Sequence, residues 1–299
     1  MERVAVVYNG RSGAFLGGDP PEERLVRRFG ESGVTAQVRA FAPETLAADV
    51  EELLKGEPDA VFVAGGDGTV RAVAERMLGG DVPLGVLPAG TMNVLARDLG
   101  VPDDLDRAVG ALLAAPVRRI DVATVNGVPF LCSSTLAMMP HLGRLREHAR
   151  GRRGAGTVRL LGRGWRLLRR YPRLRLTIDV DGRVYEARTR AVVVSCNPLD
   201  AGPAPMPGRQ RLDAGTLAVY VTDDRTGWDL LRVAGKLVRG TWQRDPGVHT
   251  YIGETVRVKT PALAMMSVMS DGEIAQLTVP LHYELRRRAL AVLAPRDRP

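Results

Sequence analysis

The 299-residue chain predicts an α/β protein of two domains, the first built on a parallel sheet and the second mainly antiparallel. Three observations carry that prediction. Through Ala115, short β-branched apolar runs alternate with segments of helical period, the pattern of βαβ units with right-handed crossovers. After Pro116 the pattern changes to short runs joined by Asn126-Gly127, Asp181-Gly182 and Asp271-Gly272, the dipeptides of two-residue hairpins. Three glycine-bearing polar loops each follow an apolar run of the first part, and in a parallel sheet all three open on its carboxyl edge.

Taken in order, residues 3–8 read as a buried strand, 22–31 as a helix behind Pro20 and Pro21, 34–41 as a strand, 43–55 as a helix and 59–64 as another buried strand. Residues 70–78 read as a helix capped by Thr69, 83–87 as a strand, 94–99 as a short helix and 104–115 as an amphipathic one. The first domain is placed at 1–118 and the second at 119–288. Strands of the second are expected at 119–125, 128–134, 174–180, 183–195, 216–221, 254–259, 264–269 and 274–279, with a last one at 289–293.

The first part turns on Val61-Phe62-Val63-Ala64-Gly65-Gly66-Asp67-Gly68-Thr69, an apolar strand that ends in three glycines, an aspartate and a threonine. Gly65, Gly66 and Gly68 remove the Cβ atoms that would keep a bulky anion from the backbone N–H groups, and the helix that follows adds positive charge at its N-terminus. Asp67 would repel a phosphate unless a cation lay between them, and the simplest one is the Mg²⁺ of a nucleotide triphosphate. Asn9, Gly10, Arg11, Ser12 and Gly13 form a second such loop, and Pro88-Ala89-Gly90-Thr91-Met92-Asn93 a third. In the third, Gly90 permits close backbone approach, while Thr91 and Asn93 are either ligand donors or helix caps.

Composition narrows the partners. Lys+Arg 42 against Asp+Glu 34 gives +8, which suits nucleotides or an anionic lipid surface; arginine-rich coding would give the same excess. Aromatics at 5% leave few stacking platforms for nucleic acid. Cys132 and Cys196 sit in apolar runs as buried thiols, in keeping with a reducing cytosol. Residues 1–8 read as a strand rather than a signal peptide, and no apolar run reaches the length of a membrane span. A cytoplasmic protein is expected, peripheral at the inner membrane face where it meets lipid. The segment 140–171 carries Arg144, Arg146, Arg150, Arg152, Arg153, Arg159, Arg163, Arg166, Arg169 and Arg170. Leu161, Trp165 and Leu168 share a face there, which describes a basic amphipathic helix for an anionic bilayer and equally a solvated helix packing one stripe. His141, His148, His249 and His282 lack ligand spacing. Ser270-Asp271-Gly272-Glu273 reads locally as a type I′ turn.

The central string Gly65-Gly66-Asp67-Gly68-Thr69, followed by Leu87-Pro88-Ala89-Gly90-Thr91-Met92-Asn93-Val94-Leu95-Ala96-Arg97, resembles the catalytic domain of the diacylglycerol kinase family in its soluble bacterial form, related to sphingosine kinases and NAD kinases. The resemblance implies ATP and Mg²⁺ as cofactors and transfer of the γ-phosphate to a lipid alcohol, diacylglycerol by default. It further implies a β-sandwich as the second domain, a lipid entering between the domains, and a final segment 289–299 that returns to the first. A homodimer is compatible with it. Nucleotide contacts fall to Asn9, Gly10, Arg11, Ser12, Gly13, Gly65, Gly66, Asp67, Gly68, Thr69, Gly90, Thr91 and Asn93. Asp67 organises Mg²⁺, and either Asp271 or Glu273 takes the hydroxyl proton. The chain departs from the pattern at Gly10, where proline is usual, at Ala137, where a glycine is expected, at Arg71-Ala72, where Asn-Glu is frequent, and near Phe41, where a threonine is missing. Ala214 replaces the second acid of the family's Asp-Asp-Gly, which leaves Asp213 alone at a structural Mg²⁺ position. Two alternatives stand beside this reading. One is an NAD kinase-like enzyme, against which the chain has no Asn-Glu dipeptide; the other is a nucleotide- or lipid-binding protein of this fold without turnover.

Overall fold

The computed structural model describes residues 1–10, 12, 15, 20–149, 155–202 and 207–295; the side chains of 146–149, 155–161 and 168 lie outside that description. Two compact units divide the chain, Met1–Val122 with Arg287–Pro299, and Ala123–Arg286.

The first unit alternates strands and helices: β1 (Arg3–Tyr8), α1 (Pro21–Gly30), β2 (Thr35–Ala40), α2 (Leu46–Lys55), β3 (Ala60–Gly65), α3 (Asp67–Met77), β4 (Leu84–Pro88), α4 (Val94–Asp98) and α5 (Leu105–Leu113). The strands lie in the order β2-β1-β3-β4, all parallel. Val4, Ala5, Val6, Val7 and the whole of β3 are buried because helices cover both faces of a parallel sheet, so an unbroken apolar run is what such a strand requires. Each helix offers one apolar stripe, as where Phe29 of α1 meets Phe62 of β3 edge to face at 4.8 Å. Past β5 (Val117–Val125), the last strand of the chain, β16 (Leu281–Leu293), sets Val292 beside Leu84 in parallel pairing. One expectation fails here. Helix α3 starts at Asp67 with the extended residue Gly66 as its N-cap, so Thr69 lies in the first turn, buried, and does not cap it.

The second unit contains β6 (Val128–Phe130), β7 (Ser133–Ala137), α6 (Met139–Ala149), α7 (Ala155–Arg170), β8 (Leu174–Val180), β9 (Arg183–Thr189), β10 (Ala191–Cys196), β11 (Leu217–Thr222), α8 (Gly227–Val238), β12 (Val248–Gly253), β13 (Thr255–Lys259), β14 (Met265–Ser270) and β15 (Glu273–Thr278). One antiparallel layer runs β12-β11-β10-β7-β14-β15, and another joins β9, β8, β13 and the first part of β16. Leu176, Ile178, Val256 and Val258 from one layer share a single core with Val192, Val194, Leu217 and Val219 from the other, which makes the unit a β-sandwich. The hairpins turn where expected, with positive φ at Asn126, Gly127, Asp181, Gly182, Asp271 and Gly272.

Two predicted strands prove to be pairs. The run 128–134 breaks because the Leu131 and Cys132 amides donate to the Asp271 carboxylate instead of to a ladder. The run 183–195 breaks at Arg190, whose amide and guanidinium both bind Asp224, at 3.0 and 2.6 Å. Helix α8 and strand β12 have no counterpart in the sequence reading. Both cysteines are buried free thiols, as anticipated, and no helix among the described residues is long and apolar enough to cross a membrane.

Ala137 ends β7 at φ 65, the left-handed region that a glycine adopts without strain. Ala137→Gly should therefore raise the free energy of unfolding by about 0.5–1 kcal/mol, after allowing for glycine's freer unfolded chain; a denaturant titration with unchanged m-value checks it. A second expectation concerns acid. Burial by itself would push the Asp245 carboxyl up, but hydrogen bonds from Lys236, the Gly247 amide and Arg232 outweigh it and hold the group at about 2. Its ion pairs with Arg232 and Lys236 tie α8 to the following segment. A depressed folded pKa gives stability that is complete above the unfolded value near 3.9 and is lost as pH falls through about 2. Asp245→Asn should flatten that part of the acid unfolding curve.

Candidate active site

In the first unit, the loops after β1, β3 and β4 meet at the start of α3. The Asn9 amide donates to Ala64 O at 2.8 Å, and Asn9 Nδ2 reaches Thr69 Oγ1 at 3.3 Å, which ties the first loop to the helix. Ser12 is buried and closes on Asn9 O through its amide. The glycines have distinct reasons. A Cβ on Gly90 would lie 2.5 Å from Gly66 Cα, so the loops after β3 and β4 touch through bare backbone. A Cβ on Gly65 would lie 2.7 Å from Thr69 Cβ, which makes that glycine a packing requirement rather than an opening for an anion. Helical geometry leaves the amides of the first turn of α3, including Gly68 and Thr69, without intrahelical acceptors.

Asp67 sits where these loops converge. Its Oδ1 accepts the Val94 amide at 2.7 Å and so caps α4 across the gap between β3 and β4. Burial pushes its carboxyl above the ordinary range, opposed by the amides of Val94, Asp67 and Leu95 and by the charge of Arg97. A lone carboxylate here fits a Mg²⁺ held chiefly by nucleotide phosphates and water, since that ion takes one or two carboxylates and keeps much of its hydration. Asn93 is left-handed, and its side chain closes the loop on Gly90 with bonds of 2.8 and 3.0 Å rather than capping α4. Thr91 is exposed. Arg11 and Gly13 lie outside the described residues.

In the second unit, the two late acids divide sharply. Asp271 is buried at the first position of the β14–β15 turn, and its carboxylate accepts the amides of Leu131, Cys132 and Ser133 at 2.6, 2.9 and 3.1 Å. Burial pushes its carboxyl up while those amides and Arg209 pull it down. Glu273, opposite Ser270 in the ladder, is exposed. Asp213 is paired with Arg211 at 3.6 Å, and among the described residues no three His, Cys, Asp or Glu side chains are grouped to hold a metal ion.

Arg209 is a residue that sequence reasoning missed. Almost wholly buried, it donates to Leu131 O and Cys196 O at 2.7 Å each and reaches Cys132 Sγ at 3.3 Å. The peptide group between Leu131 and Cys132 thus offers its carbonyl to Arg209 and its N–H to Asp271, a charge pair bridged by backbone. Nothing periodic marks Arg209 in its glycine- and proline-bearing stretch. Arg97 was legible as the end of the third-loop string; its Nε is buried without a partner.

A parallel sheet with glycine loops gathered round one aspartate, followed by a sandwich with a buried acid turn, defines a phosphotransferase class related to lipid kinases. The model of the diacylglycerol kinase catalytic domain matches residues 3–125, and that of the YegS C-terminal NAD kinase beta sandwich-like domain matches 146–294. The chain belongs to the diacylglycerol kinase catalytic-domain family of lipid kinases. It is 26% identical over 311 residues to the diacylglycerol kinase of Bacillus subtilis strain 168, covering 100% of this chain and 98% of that protein. Against the lipid kinase YegS of Escherichia coli K12 the identity is 36% over 126 residues, 40% of this chain and 41% of the relative. A solved diacylglycerol kinase from Bacillus anthracis strain Sterne superposes with a TM-score of 0.71 at 20% identity over 98% of this chain and 97% of the other, a likeness of fold.

Proposed function

We propose that the chain is an ATP- and Mg²⁺-dependent kinase that transfers the γ-phosphate to the hydroxyl of a lipid alcohol, with diacylglycerol as the default acceptor. The observation that carries this reading is Asp67, held by the Val94 amide where the Gly66 and Gly90 backbones touch. First-turn amides of α3 and the loop residues Asn9, Gly10, Ser12, Gly65, Gly66, Gly68, Thr69, Gly90, Thr91 and Asn93 hold and orient the nucleotide phosphates. Asp67 orders the water and cation around the γ-phosphate; Mg²⁺, when bound, neutralises charge that develops during transfer.

Glu273 takes the proton of the acceptor hydroxyl. Its exposure supports that role, whereas Asp271 already receives three backbone amides and serves as the anchor of the turn. The names borne by the Bacillus subtilis and Escherichia coli relatives support a lipid acceptor, and of the two only the first specifies diacylglycerol. Peripheral contact with an anionic membrane through the 144–170 segment, from the cytoplasmic side, completes the proposal.

The test is incubation with γ-labelled ATP, Mg²⁺ and an extracted lipid pool, with NAD in a parallel tube. Label in a lipid that vanishes in Asp67→Ala is the expected result. Label in NADP would move the chain to the NAD kinase reading, and nucleotide binding without transfer to either would leave the binding-protein reading.

A further inference from the structure

Arg209 is 2% exposed, and a guanidinium taken that far out of water is costly unless its donors are met and a counter-charge is near. Both conditions hold. Nη1 donates to Leu131 O and Cys196 O, Nη2 reaches Cys132 Sγ, and the Asp271 carboxylate lies on the far side of the Leu131–Cys132 peptide. The loop that delivers Arg209 is closed just before it, where the Asp200 amide donates to Gly208 O at 2.8 Å.

The position of this cation matters because the ladder between β7 and β10 is incomplete there. Two residues that face each other in an antiparallel hydrogen-bonded pair exchange both of their N–H···O bonds. Cys196 N still donates to Cys132 O at 3.0 Å, but Cys132 N turns away to Asp271 Oδ1 at 2.9 Å. Arg209 supplies the donor that Cys196 O would otherwise lack, and so frees the Cys132 amide for the acid. Three consecutive amides, of Leu131, Cys132 and Ser133, then form a nest around one carboxylate. Asp271 returns a fourth bond, from its own amide to Ser133 O at 3.0 Å.

That nest fixes more than Asp271. Asp271 and Gly272, at φ 47 and 88, are the two residues of the β14–β15 turn, which brings Glu273 opposite Ser270. Directly opposed residues share a face, so the direction of Glu273 is set by the turn and by the hold on Ser270. Ser270 pairs with Ser134 in β7, and its hydroxyl donates to Ser134 Oγ at 3.1 Å. We propose that Arg209 is a positioning residue for Glu273: by keeping the Leu131–Ser133 amides turned toward Asp271, it fixes the turn that aims the Glu273 carboxylate. The catalytic half of this rests on Glu273 as the base; the hold of Arg209 on the turn does not.

Arg209→Lys separates positioning from charge, since lysine keeps a cation beside Asp271 and loses the planar fork that serves two carbonyls and a thiol at once. Hydrogen exchange at the Leu131, Cys132 and Ser133 amides should become at least about tenfold faster, with the amides of β11 unchanged. Transfer to the lipid acceptor should fall about 10²-fold in kcat, the scale of a misplaced catalytic group, with KM for ATP unchanged. In a Glu273→Gln background the same substitution should cost less than about twofold, because groups that act as a unit do not add. A plain loss of folded protein would multiply in both backgrounds instead. Thermal midpoints confirm the fold, and Arg209→Gln, which keeps a neutral donor toward the carbonyls, takes the place of Arg209→Lys if that variant unfolds.

Native exchange at Leu131–Ser133 overturns the proposal whatever the activity. Faster exchange with native kcat confines Arg209 to stability and overturns it too, as do losses that multiply in the double variant. Full activity of Glu273→Gln alone is failure of the base assignment and overturns the catalytic half; the hold on the turn is then decided by the exchange, which needs no turnover.

Discussion

Asp67→Asn is expected to lower γ-phosphate transfer by about 10²–10³-fold, the scale of losing a preorganised group at developing charge, while leaving stability almost unchanged. The reason lies in the double duty of this side chain. Its Oδ1 caps α4 through the Val94 amide, and an asparagine keeps an oxygen there. What asparagine removes is the negative charge to which the proposed function gives the ordering of cation and water at the γ-phosphate. Asp67→Ala removes both, and should lose a further stability of about 1 kcal/mol, the usual worth of a cap. Comparison of kcat, KM and thermal midpoint for the two variants separates the roles. Equal destabilisation in both, with proportionate loss of activity, would make Asp67 a structural residue.

The second large effect contrasts the two late acids. Glu273→Gln should reduce kcat by about 10²–10⁴-fold with KM and stability near native values, as removal of a general base does. Asp271→Ala should instead destabilise the second unit by about 3–5 kcal/mol, because it strips a buried carboxylate from three amides and removes a negative charge that interacts with buried Arg209. Guanidinium chloride titration with steady-state kinetics distinguishes them. A folded Asp271→Asn without turnover, beside an active Glu273→Gln, would exchange the assignments.

The contrast also shows where sequence is informative. The strand 60–65 and the hairpin dipeptides are legible because one local rule governs each: a strand covered on both faces must be apolar, and a two-residue turn needs positive φ. Likewise Gly65-Gly66-Asp67-Gly68-Thr69 is legible as a glycine turn between strand and helix, although the need for Gly65 comes from Thr69 packing against it, which no local pattern reveals. The misses share one cause. The breaks at Leu131-Cys132 and at Arg190 arise when backbone amides are diverted to Asp271 and Asp224, 139 and 34 residues away along the chain. Arg209 is invisible for the same reason, since its partners are carbonyls of distant strands. Helix α8 was legible in retrospect from Thr226 and Asp229, a capping box, but its exposed Trp228 and Val238 blur the stripe that marks a packed helix.

The central claim is phosphoryl transfer to a lipid hydroxyl, and the most direct measurement is transfer from γ-labelled ATP to purified, detergent-dispersed diacylglycerol and a panel of other lipid alcohols. The native protein should label at least one of them, and Glu273→Gln should label it at least about 10²-fold more slowly while binding ATP equally well. A native protein that binds ATP with Mg²⁺ yet labels no lipid alcohol in the panel, or that labels NAD instead, would contradict the account.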